Sequence, residues 1–250
     1  MAHRIRRSAF RLLLLWAVTA QFPVLRGQND AEQALNWRSF PRRIWQDQKG
    51  IWSSPFHATT RSGKWWGLFG SVTAGLVASD RWTSKQLPNT SGQIDVSSIT
   101  SRFGAAYSVG PGVMALYLGG TLRGDARMRE AGLIGAEAVA DTFLVGETLK
   151  MVTWRERPLE GSGNGRFWRG ATKWDSSFPS GHAMQAWAVA SVIAHEYPRP
   201  RIIPVAAYSV ASMVMVSRFT QRRHFAADVV AGAAAGWFIG NYVFHKRHRR

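Results

Sequence analysis

The chain has 250 residues and no cysteine, which excludes disulfide bonds and cysteine-ligated zinc sites. Its formal net charge of +17 favours anionic partners such as phosphates and acidic lipid headgroups. No nucleic-acid-binding motif accompanies the basic residues, so nucleic acid is not a predicted partner. Apolar residues make up 46% of the chain, yet a mean hydropathy of −0.16 is low for a protein wholly embedded in lipid.

The first twenty residues predict an export signal. Residues 1–11 are basic, residues 12–20 are mostly apolar, and the stretch ends in small residues suited to cleavage after Ala20. An apolar stretch of this length is too short to span a bilayer. The alternative is an uncleaved anchor that continues to about Leu25, against which Pro23 argues.

Residues 21–62 form a polar extension, irregular in pattern, that contains Trp37, Trp45 and Trp52. Tryptophan and arginine are both favoured where a protein meets a membrane interface, so one prediction places the extension there. The alternative, equally supported, is that these tryptophans cover the helical core.

From residue 63 to residue 250, apolar segments alternate with charged loops. Glycine and alanine are frequent in the segments, the alternation typical of strands is absent, and the segment lengths favour helices. The predicted fold is therefore all-α, a compact bundle of about six core helices in one domain. The six predicted helices are 64–79, 103–122, 131–152, 183–196, 202–217 and 228–244.

Three short clusters in the C-terminal half contain the residues whose side chains could bind a ligand or take part in a reaction. They are Lys150 with Arg157-Pro158, then Pro179-Ser180-Gly181-His182, then Ser217-Arg218 with His224 and Asp228. Phosphoryl transfer needs positive charge where the equatorial oxygens gather negative charge, together with a nucleophile and an acid for the leaving group. Guanidinium groups bind two such oxygens at once, and an ammonium adds a compact charge. The clusters therefore predict a phosphoryl site.

Local geometry refines this prediction. If the helix with Lys150 continues to Arg157, seven residues make two turns and both cations share one face. A helix that begins at Gly181 would direct its free N–H groups towards an anion. On a helix His224 and Asp228 are neighbours, so Asp228 is predicted to hold one ring nitrogen and leave the other as a nucleophile. Each cluster alone also fits a purely structural role, but the three together favour a site.

In order, spacing and residue identity, the clusters resemble the tripartite signature of the type 2 phosphatidic acid phosphatase superfamily. This superfamily includes bacterial class A acid phosphatases, glucose-6-phosphatase-like enzymes and vanadium haloperoxidases. The resemblance covers Lys150 to Asp228 and implies a helical bundle with all three motifs at one end. It also implies a metal-independent phosphatase in which His224 attacks phosphorus, His182 protonates the leaving oxygen and Asp228 orients His224.

The resemblance further assigns the groups that bind the phosphoryl oxygens, namely Lys150, Arg157, Ser180, Gly181 and Arg218. No metal is predicted, because zinc-binding motifs are absent and the cations of the site would repel a dication. No other cofactor is predicted, and vanadate would act as an inhibitor.

Two alternatives remain open. A vanadium haloperoxidase would use the same phosphoryl-binding residues to hold vanadate as its cofactor. An inactive relative would only bind phospholipid. The substrate is not specified, since phosphorylated lipids, isoprenyl pyrophosphates and small phosphate esters all fit the motifs. The sequence does not indicate an oligomeric state.

Charge in the predicted loops indicates how the bundle would meet a membrane. Only 103–122 is both uncharged and about twenty residues long. Basic residues in 123–130, 197–201 and the C-terminal tail fall at the end opposite the motifs, so the positive-inside rule places the motif end outside. The prediction is an exported protein in a bacterial-type cell membrane with its site facing the periplasm. The alternative is a soluble periplasmic protein.

Two features complicate the predicted orientation. The alternation of segments requires 64–79 to start on the inside of the membrane, whereas a cleaved signal would leave its start outside. Either this segment does not span, or the signal is an anchor-like element, or the bundle is peripheral or soluble. The segment 131–152 contains Glu137 and Asp141 on one helical face, which either points inward or marks a soluble bundle.

Overall fold

The computed structural model describes residues 36–57, 59–88, 90–170 and 175–248. The predicted export signal and the first part of the predicted extension lie outside these described residues.

The described residues form eight α-helices and no strand, which confirms the all-α prediction. The helices are α1 Phe40–Ser53, α2 Thr60–Gln86, α3 Ser91–Ser101, α4 Ala106–Arg123, α5 Ala126–Thr153, α6 Gly181–Glu196, α7 Ile202–Thr220 and α8 Ala226–His248. Two short 3₁₀ turns follow α1 and α3, at Ser54–His57 and Arg102–Gly104.

The six predicted segments correspond to α2 and α4 to α8, and two helices were not predicted. α1 lies in the part that the sequence indicated to be irregular, and two of its three buried residues are charged: Arg43 and Asp47, beside Ile51. The apolar repeat that reveals a helix is therefore missing from its buried face. α3 was missed because it buries serines, Ser97 and Ser101.

α6 is the central helix of the bundle and packs against α5, α7 and α8. Glycines of α8 allow an especially close approach, because a Cβ atom at Gly232, Gly236 or Gly240 would overlap backbone oxygens of the α6 region. At Gly232 the overlapping oxygen is that of Ser180, at 2.6 Å. This backbone-to-backbone packing fixes the start of α8 relative to the start of α6.

Buried charges join α1 to α5 and α8. The carboxylate of Glu137 accepts hydrogen bonds from Arg43 Nε at 2.5 Å and Arg247 Nε at 2.6 Å. Arg247 also pairs with Asp47. Glu137 and Asp141 are both fully buried, so the acidic face of α5 points inward.

α7 is the one helix among the described residues that is long and apolar enough to cross a membrane. It exposes Ile202, Val205, Met213 and Val216 along its length. The sequence indicated 103–122 for this role instead. α4, which occupies that segment, contains Pro111 and several glycines and is less apolar for this reason.

Candidate active site

Four helix ends meet at the predicted motifs: the C-terminal ends of α5 and α7 and the N-terminal ends of α6 and α8. Backbone and side-chain hydrogen bonds join them. Thr153 Oγ1 donates to the Phe178 carbonyl at 2.8 Å, and the Ser180 N–H donates to the Asp228 carbonyl at 3.0 Å. The structure thus brings all three clusters to one end of the bundle.

A cavity of about 380 Å³ opens at this end. Of the predicted residues, Arg157, His182 and Arg218 line it, and the others are not among its lining residues. The facing wall comes from α3 and the turn that follows, with Ser101 and Arg102 among its residues.

Arg157 reaches the cavity from a loop and not from a helix, which corrects the prediction that it shares a helical face with Lys150. α5 ends at Thr153 because Trp154 adopts a left-handed backbone with φ of 41°. Arg157 donates to Asp175 Oδ1 from Nε at 3.0 Å and from Nη2 at 2.7 Å, and its Nη1 donates to the Arg223 carbonyl at 2.8 Å.

Lys150 remains on the last turn of α5 and lies over the start of α6. Its Nζ would be 3.6 Å from a Cβ atom at Gly181, and it pairs with Glu147 at 2.7 Å. The ammonium therefore adds a positive charge next to the backbone N–H groups at the start of α6.

α6 begins at Gly181, as the sequence predicted. The N-cap Ser180 makes no side-chain capping bond, and its hydroxyl is buried. Within the described part of the chain, neither Ser180 Oγ nor Arg218 Nε has a hydrogen-bond partner. Unpaired buried donors are costly, and these two groups are available to hydrogen-bond a ligand at this end of the bundle. A helix N-terminus and a guanidinium both favour an anion as that ligand.

His224 is buried and neutral. Its Nδ1 lies 2.7 Å from the Ser177 carbonyl, which can only accept, so Nδ1 carries the proton and Nε2 keeps its lone pair. Burial, reinforced by the charges of Arg157 and Arg218, holds the pKa of His224 well below its usual value. The ring is only 3% exposed and does not line the cavity.

The predicted hydrogen bond between Asp228 and His224 is absent, because Asp228 Oδ2 lies 3.8 Å from Nδ1. The carboxylate is already occupied. Its Oδ1 accepts from Arg155 Nη1 at 2.5 Å, and its Oδ2 accepts from Ser177 Oγ at 2.5 Å and from the Phe225 N–H at 2.7 Å. Asp228 therefore holds the residue whose carbonyl binds His224, and it acts on the ring only indirectly.

Arg155 is the centre of this buried arrangement. Its guanidinium lies between the rings of Phe167 and Phe225, at 4.8 and 4.6 Å from their centroids. Its Nη2 donates to Asp80 Oδ2 at 2.8 Å, and Asp80 Oδ1 accepts from the Ala227 N–H at 3.1 Å. The Asp80–Arg155–Asp228 network thus joins α2, the loop after α5 and the start of α8.

Sequence reasoning missed both Asp80 and Arg155. Arg155 stands two residues before Arg157 in the same cluster, and this proximity was the only signal for it. Asp80 lies 75 residues before its partner and offered none.

His182 occupies the first turn of α6 and faces the cavity. Burial, followed by the charges of Arg218, Lys150 and Arg157, lowers the pKa of His182 to about 3. The imidazole is therefore neutral in the free protein at physiological pH. A bound anion would offset those cations and raise this pKa again.

A chain of two hydrogen bonds connects Arg218 to α3. Its Nη1 donates to Gln221 Oε1 at 2.7 Å, and Gln221 Nε2 donates to Ser101 Oγ at 3.1 Å. Sequence reasoning did not find this support, because it did not find α3.

An all-α bundle that gathers arginines, a lysine and two histidines at one end is the architecture that the motif resemblance implied. Residues 131–250 match the family model of the PAP2 superfamily. This region includes every predicted site residue. The match of this region confirms the resemblance seen in the motifs.

Two similar proteins add detail. Over 66 residues the chain is 44% identical to the Lipid A 1-phosphatase of Porphyromonas gingivalis, which covers 26% of this chain and 15% of that protein. The chain therefore matches only a small part of the length of that relative.

The fold is similar to the crystal structure of the first transmembrane PAP2 type phosphatidylglycerolphosphate phosphatase from Bacillus subtilis. The TM-score is 0.51 at 18% sequence identity, and the match covers 84% of this chain and 97% of the other. At this identity the likeness shows the shared fold.

Proposed function

We propose that this protein is a metal-independent phosphatase that hydrolyses a phosphate ester or pyrophosphate of a lipid through a phosphohistidine on His224. One observation carries the proposal. A neutral imidazole with its Nδ1 proton on the Ser177 carbonyl is buried beside Arg157 and Arg218, so its Nε2 lone pair stands in a region of positive charge. This combination suits attack on a phosphoryl group.

In the first step, Nε2 of His224 forms a bond to phosphorus as the ester P–O bond breaks. His182, which takes up a proton when the substrate anion binds, gives that proton to the departing oxygen. The guanidinium groups of Arg157 and Arg218 bind the equatorial oxygens, and the Ser180 hydroxyl and α6 N–H groups complete the cradle. His224 is not among the residues that line the cavity, so this attack requires its Nε2 to become accessible to the bound phosphoryl group.

In the second step, water attacks phosphorus while His182, now neutral, accepts its proton. The P–N bond breaks, inorganic phosphate leaves, and His224 regains its lone pair. The Ser177 carbonyl holds the Nδ1 proton throughout, so the ring keeps one tautomer. Asp228 and Arg155 contribute by fixing Ser177 and are positioning residues in this scheme.

The placement of the site on α7 supports a lipid substrate. α7 has 19 residues, which corresponds to about 28 Å of helix and is close to the thickness of a bilayer core. Arg218 lies in its last turn, beyond the exposed apolar residues Ile202 to Val216. If α7 contacts or crosses the bilayer, the cradle lies at the level of the lipid headgroups. The names of the two similar proteins, both of them lipid phosphatases, agree with this placement.

Export and an outward-facing site remain predictions of the sequence. They accompany the proposal without being needed for its chemistry.

A phosphate-release assay on the full chain in detergent tests the proposal. The substrates are phosphatidic acid, farnesyl diphosphate and glycerol phosphate. We expect turnover of the lipid substrates, and a loss of about a thousandfold or more in His224→Ala. His245→Ala, a change at an exposed histidine on the last turns of α8, is the matched control. Absence of release from all three substrates would contradict the proposal, and vanadate-dependent bromide oxidation would favour a haloperoxidase instead.

A further inference from the structure

Two arginines outside the three motifs also line the cavity. Arg102 follows the last residue of α3, and Arg223 lies in the turn between α7 and α8. Both side chains are exposed. In the described part of the chain neither guanidinium makes a hydrogen bond or an ion pair, whereas Arg157, Arg218 and Lys150 all have protein partners.

The backbone of Arg223 is fixed between the two motif arginines. Its carbonyl accepts from Arg157 Nη1 at 2.8 Å, and its N–H donates to the Arg218 carbonyl at 3.3 Å. The Arg223 backbone is therefore hydrogen-bonded to both motif arginines, which places its side chain next to them.

Arg102 is tied to the same cradle from the opposite wall. The preceding Ser101 accepts from Gln221, and Gln221 in turn accepts from Arg218. α3 is also joined to the end of α7 by the hydrogen bond between Ser97 Oγ and Thr220 Oγ1, at 2.7 Å. Arg102 therefore has a defined place at the rim beside Arg218.

The cations around the cavity differ in whether a carboxylate pairs with them. Arg157 pairs with Asp175 at 2.7 Å and with Glu160 at 3.7 Å, and Lys150 pairs with Glu147, whereas Arg102 and Arg223 form no ion pair within the described residues. A phosphate monoester has about two negative charges at neutral pH, and a diphosphate ester has about one more. The two arginines without an ion pair therefore suit a second phosphoryl group beside the one in the motif site.

We infer that Arg102 and Arg223 form a second anion subsite at the rim of the cradle, so that the cavity selects esters with two linked phosphoryl groups over monophosphates. The terminal phosphoryl group would occupy the motif cradle, and the group next to it, which leaves with the lipid, would lie between Arg102 and Arg223. This inference deepens the proposed function and rests on it for turnover, but the binding preference can be measured without turnover.

The first test therefore measures binding. Methylenediphosphonate and methylphosphonate, which resist hydrolysis, are titrated into the full chain in detergent and followed by calorimetry. We expect methylenediphosphonate to bind roughly tenfold or more tightly, because it gains charge-assisted hydrogen bonds from two further arginines. In the double variant R102Q/R223Q this preference should fall to about threefold or less.

The control variant is R123Q/R201Q, which removes two exposed arginines outside the cavity and changes the net charge equally. It should keep the preference for methylenediphosphonate. Equal affinity of the unmodified protein for both probes, or an unchanged preference in R102Q/R223Q, would overturn the subsite. A preference lost equally in the control would also overturn it, since the effect would then be one of overall charge.

The second test compares the kcat/KM values for dodecyl diphosphate and dodecyl phosphate. Their ratio should fall in R102Q/R223Q and stay constant in R123Q/R201Q. If neither ester is hydrolysed while the binding preference persists and depends on Arg102 and Arg223, the proposed function fails and the subsite stands. If both esters are hydrolysed at a ratio that R102Q/R223Q does not change, the subsite fails and the proposed function stands.

Discussion

Arg155 and Asp228 form a buried ion pair, with Nη1 and Oδ1 2.5 Å apart, although 73 residues separate them in the sequence. This pair explains why Asp228 is not hydrogen-bonded to His224. The carboxylate is directed at Arg155 and Ser177, and it is the Ser177 carbonyl that binds the ring. Asp228 therefore stabilises Ser177, which binds His224, and does not contact the ring through a hydrogen bond of its own.

The first prediction concerns Arg155. Arg155→Met leaves Asp80 and Asp228 buried without their shared cation, so the free energy of unfolding should fall by about 3–5 kcal/mol. The melting temperature in detergent should drop by roughly 10 °C. Arg155→Lys should recover part of this loss, since it restores the charge without a fork that reaches both carboxylates.

Arg166→Met provides the control for Arg155, because Arg166 is an exposed arginine in the same loop. It should change stability by less than about 0.5 kcal/mol. If Arg155→Met melted at the same temperature as Arg166→Met, the network would contribute nothing and the role given to Asp228 would be wrong.

The second prediction concerns the protonation of His182. Its pKa of about 3 in the free protein results from burial and from neighbouring cations, so a bound dianion should raise it. At pH 5 sulfate binding should therefore take up a proton, and sulfate affinity should rise as the pH falls from 8 to 5. Calorimetry in two buffers of different ionisation enthalpy measures this uptake.

His182→Gln should abolish the proton uptake on sulfate binding, whereas His224→Gln should retain it, because Nδ1 of His224 is already protonated and its ring stays neutral. Uptake of the same size in His182→Gln would show that His182 is not the group that receives the proton.

The third prediction separates the acid from the positioning groups. If His182 protonates the leaving oxygen, His182→Ala should slow alkyl phosphates far more than 4-nitrophenyl phosphate, whose oxygen departs without a proton. We expect the two kcat/KM losses to differ by about a hundredfold. Equal losses would assign His182 to phosphate binding or to the fold.

The sequence predicted the parts of this site that are encoded locally. The start of α6 at Gly181 followed from a glycine before an apolar run, and the gathering of Lys150, Arg157 and Arg218 followed from the resemblance to a known family. The path of the chain between Lys150 and Arg157 did not follow. It depends on the left-handed Trp154, a residue type that gives no warning of this conformation.

The supporting contacts were beyond sequence reasoning for a different reason. Arg155 and Asp80 become partners only when α2 packs beside α8, and no local pattern records that contact. α1 was missed because its buried face pairs Arg43 and Asp47 with charges on α5 and α8. Long-range ion pairs of this kind leave no periodic trace in the chain.

The fourth prediction is that turnover does not need a metal ion. Arg157, Arg218 and Lys150 supply the positive charge that a dication provides in other phosphatases. Phosphate release should persist in excess EDTA, measured after dialysis against the chelator. Activity that is lost in EDTA and restored by zinc or magnesium would contradict the mechanism.

The covalent intermediate tests the central claim most directly. ³²P-labelled substrate is mixed with the full chain, quenched in base to preserve a phosphoramidate, and the labelled peptide is identified by mass spectrometry. The account predicts label on His224 that is stable to base and labile to acid, none in His224→Ala, and the normal amount in His245→Ala. Label on Ser180, or rapid hydrolysis by His224→Ala, would show that the nucleophile is a different residue.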